Sequence, residues 1–461
     1  MKLTILGGGG FRVPLVHRAL MADHSDERVT ELRLHDVDRG RLDAIAAVLT
    51  EQSVGVAGAP RLVVAEDLAS ALAGTDFVFS AMRVGGTAGR ALDEGICLGH
   101  GIIGQETVGA GGISYALRGI PVALQVAEAI REHCPEAWVI NFTNPAGVVT
   151  QVMRGVLGER VVGICDSPVG LARRVLTTLQ DAGLAPADAG PVGLGDSRVR
   201  LDYLGLNHLG WLQGLLVDGT DVLPSLLERP DLIESFEEGR LFGTPLVQAL
   251  GQVPNEYLHY YYFTREDLAT DLAAENPRGK FLQQQQDGFY AAVAALDGRP
   301  GAHALWERTR MEREVTYMAS NREAAGGFER DEADLQTGGY DQVALAIMHA
   351  IANDVPAELV LNVPNRGVIP ELDDDDIIEL PCRIDASGIQ TLPTRGLPDH
   401  ARGLVVNAKY VEHQMIEAAT TGSRTAALRA LLQHPLVDSF AVAQRVLDEM
   451  QAGFPELDYL A

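Results

Sequence analysis

Apolar residues recur along the chain in two patterns, short runs of four or five positions and longer stretches with helical spacing, and the order of these patterns sets the fold expectation. Residues 3–6 are a short apolar run, residues 7–10 are glycines, and residues 13–21 carry helical spacing with Pro14 in the first turn, where a missing N–H is harmless. Further strand candidates at 32–36, 61–65, 77–81, 138–142 and 161–165 are separated by helical sequence, as at 39–49 and 115–133, or by glycine-rich loops. This alternation predicts an α/β fold beginning with a doubly wound parallel sheet of Rossmann type. After Pro168 the pattern changes. Residues 193–217 read as a strand or hairpin broken by Asn207-His208, and helical spacing dominates from 226 through 318 and again at 341–353. Strand patterns return at 359–369 and 377–384, and residues 404–447 read as core helices. The expected division is a nucleotide-binding domain over 1–166 and an α+β domain over 167–461.

Composition narrows the classes of function. A chain of 461 residues with 46% hydrophobic content buries a large core. Its formal charge of −26 repels polyanions, which argues against nucleic acid or an anionic membrane surface as partner. An anionic small substrate therefore needs local arginines. Cys97, Cys134, Cys165 and Cys382 form no CxxC pair, so neither a disulfide framework nor a zinc module is signalled, and a cytoplasmic location is expected. The first apolar run is too short for a secretory signal, and no run approaches the roughly 20 residues of a membrane span.

The candidate chemistry gathers at predicted strand ends, where open α/β sheets bind ligands. Gly7, Gly8, Gly9 and Gly10, followed by Phe11, let backbone approach a pyrophosphate at a helix start. The strict GxGxxG pattern fails because Arg12 stands where its third glycine would fall. Asp36 ends the next strand and is read as a ribose ligand, with capping of the following helix by Asp36 or Asp38 as the plain alternative. Arg83 to Arg90, continuing to residue 112, is so rich in glycine that it is expected to be a loop closing on a ligand, its arginines suited to gripping phosphate. Cys165, at the end of its run, and His208, in the polar break, can together hold a metal. Residues 254–263 are crowded with tyrosines, most of which serve packing.

These residues carry a resemblance. Gly104-Gln105-Glu106-Thr107, Asn141-Phe142-Thr143-Asn144-Pro145-Ala146, Gly163-Ile164-Cys165-Asp166-Ser167-Pro168, Gly205-Leu206-Asn207-His208-Leu209, Glu256-Tyr257-Leu258-His259 and Asn362-Val363-Pro364-Asn365-Arg366-Gly367 occur in order along nearly the whole chain. The chain resembles glycoside hydrolase family 4, the NAD- and divalent-metal-dependent glycosidases, and within it the 6-phospho-β-glucosidases. The resemblance implies a C-terminal domain of the lactate and malate dehydrogenase kind, NAD held by Gly7 to Phe11, Asp36 and Asn141, and Mn²⁺ or another divalent cation held by Cys165 and His208. It makes Tyr257 the base and Asp166 a catalytic acid candidate, assigns Arg90 and Arg278 to the sugar 6-phosphate with Arg83 as an addition, and gives Asn144 a substrate contact.

The implied reaction oxidises C3 of the sugar by hydride transfer to NAD, removes the C2 proton, eliminates the aglycone, adds water and returns the hydride. The implied substrate is a phosphorylated disaccharide or aryl glycoside, and the implied assembly is a homodimer or homotetramer. Two departures stand out. Gly10-Phe11 replaces small hydroxyl residues, and Asp166 stands where the β-specific members carry asparagine and the α-specific ones aspartate. The β specificity is favoured, with a 6-phospho-α-glucosidase as alternative; a 2-hydroxyacid dehydrogenase would instead produce NADH in net amounts.

Overall fold

The computed structural model describes residues 1–190, 198–331, 335 and 339–461, so residues 193–197 of the expected hairpin lie outside the described residues. Strands β1 (Lys2–Leu6), β2 (Glu31–His35), β3 (Arg61–Val64), β4 (Phe77–Ser80), β5 (Trp138–Asn141) and β6 (Val161–Gly163) run parallel in the order β3-β2-β1-β4-β5-β6. That order reverses direction between β1 and β4, which opens a crevice at their carboxyl ends. Leu3, Ile5, Phe77, Phe79, Ile140 and Val162 enter one core, while Leu6, Val78, Val139 and Val161 enter the other. Burial on both faces is the reason the central strands read as largely apolar runs, whereas β2, Glu31-Leu32-Arg33-Leu34-His35, alternates, and no residue of β3 is fully buried.

Beyond β6 come β7 (Val199–Leu206), β8 (Leu209–Val217), β9 (Thr220–Asp221), β10 (Val253–Pro254), β11 (Ala357–Pro364), β12 (Ile377–Asp385) and β13 (Gly388–Thr391). The sheet continues across residue 166 without a break: β6 pairs with β11, and β12, β7, β8 and β10 follow, all antiparallel. Gly163 makes this seam possible. A Cβ there would stand 2.4 Å from Thr150 Oγ1 and 2.8 Å from Asn362 Cβ. The C-terminal helices Asp399–Thr421, Arg424–Gln433 and Phe440–Gly453 return to the first half, placing Val411, Leu431 and Val446 in the same core as Val139. Among the described residues no helix is long and apolar enough to cross a membrane.

The glycine-rich segment expected as one loop contains the helix Gly86–Gly99, and the helix expected from residue 115 already begins at Gly109. Each interior glycine costs a helix about 1 kcal/mol, so local sequence reads as loop. Long-range contacts decide otherwise. Arg118 donates two hydrogen bonds to buried Asp93 at 3.0 and 2.6 Å, tying this helix to Gly109–His133, and Ile96 and Cys97 are buried between them. The run expected over 359–369 leaves the sheet at Pro364, where Asn365 accepts from the Ile369 N–H at 2.7 Å and closes a turn.

Candidate active site

A cavity of about 1080 Å³ lies along the carboxyl ends of the parallel strands and is lined by Gly7, Gly9, Gly10, Phe11, Asp36, Arg83, Arg90, Asn144, Cys165, Asp166, His208, Tyr257 and Arg278, among others. Gly7 takes φ +84°, and a Cβ there would stand 2.4 Å from the Ala81 carbonyl oxygen. The Gly9 N–H donates to Asp36 Oδ2 at 2.9 Å, which ties the turn to the end of β2. Asp38, not Asp36, caps the helix Arg39–Gln52, accepting from Arg41 N–H at 3.0 Å. Asp36 therefore stays at the cavity edge, where a ribose role needs it. Phe11 packs edge-on against Phe289 with centroids 5.2 Å apart. Arg12 reaches Asp166 at 4.0 Å and lies 5.2 Å over the Tyr340 ring.

Gly8 and Asn141 do not line the cavity. The fully buried Asn141 amide donates to the carbonyls of Thr143 (3.2 Å) and Ala146 (3.3 Å) and to Thr150 Oγ1 (3.1 Å), and accepts from the Thr143 N–H (3.1 Å). These hydrogen bonds build the turn that carries Asn144.

His208 occupies the turn between β7 and β8 with φ +63°, and its ring stacks on Tyr257 with centroids 3.8 Å apart and an interplanar angle of 11°. Burial lowers its pKa to about 4, so at neutral pH the imidazole is uncharged, as a metal ligand must be. Burial, then Glu379 and Asp166, pushes the Cys165 thiol well above its usual range, and a bound cation is what would ionise it. Among the described residues the only compact group of three metal-ligating side chains is Asp373, Asp376 and His413, which does not line the cavity. Cys165 and His208 both line the cavity, and two donors of this kind would leave coordination positions for substrate oxygens.

Tyr257 is buried, and burial followed by Glu256 raises its phenol above the ordinary range. Tyr317 Oη donates to Glu256 Oε1 at 2.6 Å and lies 3.2 Å from Tyr257 Oη. A hydroxyl has one hydrogen, so Tyr257 donates to Tyr317 and Tyr317 to the carboxylate. Ser167 also donates to Glu256 Oε1 at 3.1 Å.

Glu379 Oε1 accepts from Asn207 (3.1 Å) and Asn362 (2.9 Å), and burial pushes its pKa up from 4.5 to about 7. The folded chain keeps a proton there that the unfolded chain releases, so stability falls as pH rises from 4.5 to about 7. At about 1.4 kcal/mol per unit the loss is on the order of 3 kcal/mol. Metal-free Glu379→Gln is expected to lack this component. Urea midpoints between pH 5 and 8 measure it, and curves parallel to those of the unaltered protein would contradict it.

The arginines divide into two kinds. Arg83 meets Glu106 at 2.5 Å, and Arg90 meets Glu94 and Glu106 at 2.8 Å each. Burial would raise the Glu106 carboxyl, but Arg83 and Arg90 together hold it well below the usual range. Arg278 donates instead to Thr316 Oγ1 (2.6 Å) and the Arg313 carbonyl (3.3 Å). Burial and then repulsion from Arg90 lower its pKa to about 10; burial and then Arg12 and Arg278 lower that of Arg313 to about 9. Neither has a carboxylate within 4.0 Å among the described residues, and Arg313 Nε is buried without a partner. Both remain charged at neutral pH, and the surplus favours an anion. Arg313, Arg12 and Tyr317 had no signal in the sequence. Arg313 lies in an arginine- and glutamate-rich helix that reads as solvated, and only the tertiary fold turns it into the cavity.

A Rossmann-type glycine turn shares one cavity with a thiol, a neutral imidazole and two arginines without carboxylate partners among the described residues, an arrangement of the nucleotide-dependent enzyme class. Residues 2–181 match the family 4 glycosyl hydrolases and residues 203–437 match the family 4 glycosyl hydrolase C-terminal domain; the chain belongs to that family. A 6-phospho-β-glucosidase of Escherichia coli K12 is 31% identical over 463 residues, covering 98% of this chain and 94% of its own. The 6-phospho-β-glucosidase from Thermotoga maritima, solved with manganese, NAD⁺ and glucose 6-phosphate, matches with a TM-score of 0.79 and 25% identity over 100% of this chain and 99% of that one. Malate dehydrogenase from Plasmodium falciparum matches at a TM-score of 0.50 and 13% identity, covering 91% and 99% of the two chains, which shows a shared fold alone and agrees with the expected dehydrogenase-like architecture.

Proposed function

We propose that this chain is a 6-phospho-β-glucosidase that uses NAD and a divalent cation such as Mn²⁺ to hydrolyse phosphorylated disaccharides or aryl glycosides. The observation that carries the reading is the anion seat: Arg278 and Arg313, without carboxylate partners among the described residues, line the same cavity as Cys165, His208 and Tyr257. A sugar phosphate offers bidentate geometry to such guanidinium groups. The cofactors fit the residues present. The glycine turn admits no Cβ at Gly7, Asp36 stands at the cavity edge, and thiol and neutral imidazole are donors for a divalent ion.

NAD along Gly7 to Phe11 and Asp36 would supply reversible hydride acceptance, and a cation on Cys165 and His208 would supply fixed positive charge beside the sugar oxygens. The chain's own groups do the rest. Arg278, Arg313 and Arg90 hold the phosphate, Arg83 braces Glu106 behind them, and Asn144 faces the sugar. Tyr257 Oη takes the C2 proton, its phenolate favoured against burial and Glu256 by the positive charge a cation on Cys165 and His208 would bring and its own proton passing through Tyr317 to Glu256. Asp166, raised by burial against the pull of Arg12, gives a proton to the departing aglycone oxygen. This Asp166 geometry favours a second reading, a 6-phospho-α-glucosidase. Free, buried cysteines are compatible with a cytoplasmic location, and a homodimer or homotetramer completes the reading, testable by light scattering.

The deciding experiment is hydrolysis of paired α- and β-nitrophenyl glucoside 6-phosphates under reducing conditions, with NAD and Mn²⁺ each supplied or withheld. Cleavage of the β substrate only when both are present is expected. Cleavage of the α substrate alone selects the second reading, and net NADH from a 2-hydroxyacid without glycoside cleavage rejects both.

A further inference from the structure

The motif Gly104-Gln105-Glu106-Thr107 lines the cavity with its first three residues, but the side chains of Gln105 and Thr107 have no part in the chemistry above. Their hydrogen bonds have a determinate direction. Gln105 Oε1 accepts from the backbone N–H groups of Thr107 (2.5 Å) and Val108 (2.9 Å), so this end of the amide is the oxygen and not the NH₂ group. Thr107 Oγ1 lies 2.9 Å from that same oxygen and must donate its one hydrogen to it. The same Oγ1 lies 3.0 Å from His208 Nδ1. With its hydrogen committed, Thr107 can only accept there, so the proton sits on Nδ1.

We infer that Gln105 and Thr107 are positioning residues that hold His208 in its Nδ1–H tautomer, leaving Nε2 as the lone-pair nitrogen for the divalent cation. The inference rests on the reading of Cys165 and His208 as metal ligands. A histidine ligand's metal-free nitrogen is generally fixed by such a partner. Here the partner is itself fixed by packing. A Cβ on Gly111 would stand 2.3 Å from the Gln105 carbonyl oxygen, and one on Gly112 would stand 2.5 Å from the Thr107 carbonyl carbon. The loop therefore seats directly on the start of the helix Gly109–His133, which only glycine permits at those two places. Tyr257, stacked 3.8 Å from the imidazole centroid, fixes the plane of the ring while Thr107 fixes its proton. Between them the ring has neither a free rotation nor a free choice of tautomer.

The test compares Thr107→Val, which keeps the shape and loses the hydroxyl, with Thr107→Ser, which keeps the hydroxyl. Two quantities are read on the full-length protein: Mn²⁺ affinity, from the electron paramagnetic resonance of free Mn²⁺, and the ¹⁵N shifts of His208 in the metal-free state. The expected results are an Nδ1-protonated imidazole in the unaltered protein, Mn²⁺ binding weakened about 10–100-fold in Thr107→Val, recovery in Thr107→Ser, and unchanged NAD affinity in both. An Nε2-protonated imidazole, or wild-type Mn²⁺ affinity in Thr107→Val, would overturn the inference. Failure of the unaltered protein to bind Mn²⁺ would overturn the metal reading itself and the inference with it. If Thr107→Val does not fold, the ¹⁵N shifts of the unaltered protein and the Thr107→Ser affinity still decide.

Discussion

Tyr257→Phe is expected to lower kcat on the phosphorylated β-glucoside by about 10²- to 10⁴-fold, the usual scale of a positioned proton-transfer group, while NAD and Mn²⁺ affinities stay close to those of the unaltered protein. The separation follows from what the substitution leaves in place. A phenyl ring keeps the stack against His208, whose ring centroid lies 3.8 Å away. The lost atom is Oη, the one end of the hydrogen-bonded row that runs through Tyr317 to Glu256. Solvent exchange at substrate C2, followed by NMR, should disappear with kcat. Exchange persisting at the wild-type rate would assign the base to another group. Tyr317→Phe should give a smaller loss of the same kind, because Tyr257 retains its oxygen and loses only its outlet to the carboxylate.

The second large effect belongs to Arg278. Removing one partner of a desolvated, hydrogen-bonded charge pair costs about 2–5 kcal/mol, roughly a 30- to 5000-fold change. Arg278→Gln is therefore expected to lower kcat/KM for the phosphorylated substrate by that order and to leave the unphosphorylated glucoside almost unaffected. The discrimination between the two substrates collapses, which is the signature of a group that binds phosphate and not one that holds the fold together. Arg278 is well suited to give a clean result. Its only other hydrogen bonds run to the Thr316 hydroxyl and the Arg313 carbonyl, so no carboxylate among the described residues loses its ion pair when the charge is removed. Equal losses on both substrates would contradict the assignment.

The parallel half of the fold was legible because the central strands, buried on both faces, read as largely apolar runs, and the outer strands β2 and β3 still stood out by their leucines and valines between polar loops and helical sequence. So were the groups that cluster at strand ends: Cys165, His208, Asp36 and the glycine turn occupy places that a short stretch of sequence defines. The helix Gly86–Gly99 was hidden, because its glycines speak for a loop and its justification, the Asp93–Arg118 pair, spans 25 positions of sequence. Asn141 stands at a strand end as a ligand would, and its amide also ties the turn after β5, a contact that sequence alone does not reveal. Arg12 illustrates the converse. It broke the glycine pattern in the sequence, and the structure gives its side chain a position against Asp166 and Tyr340 that no local motif describes. Arg313 depended wholly on tertiary placement. The C-terminal helices were recognised as core, yet nothing in their spacing told that the core they enter is the one containing Val139.

Release of the glycosidic bond after a proton leaves C2 is tested most directly by turnover of the phosphorylated β-glucoside in deuterated water with NAD and Mn²⁺ present, followed by NMR of the released sugar. Deuterium is expected at C2 of the glucose 6-phosphate formed. Product that carries only hydrogen at C2 would contradict it and return the chain to a direct displacement of the aglycone.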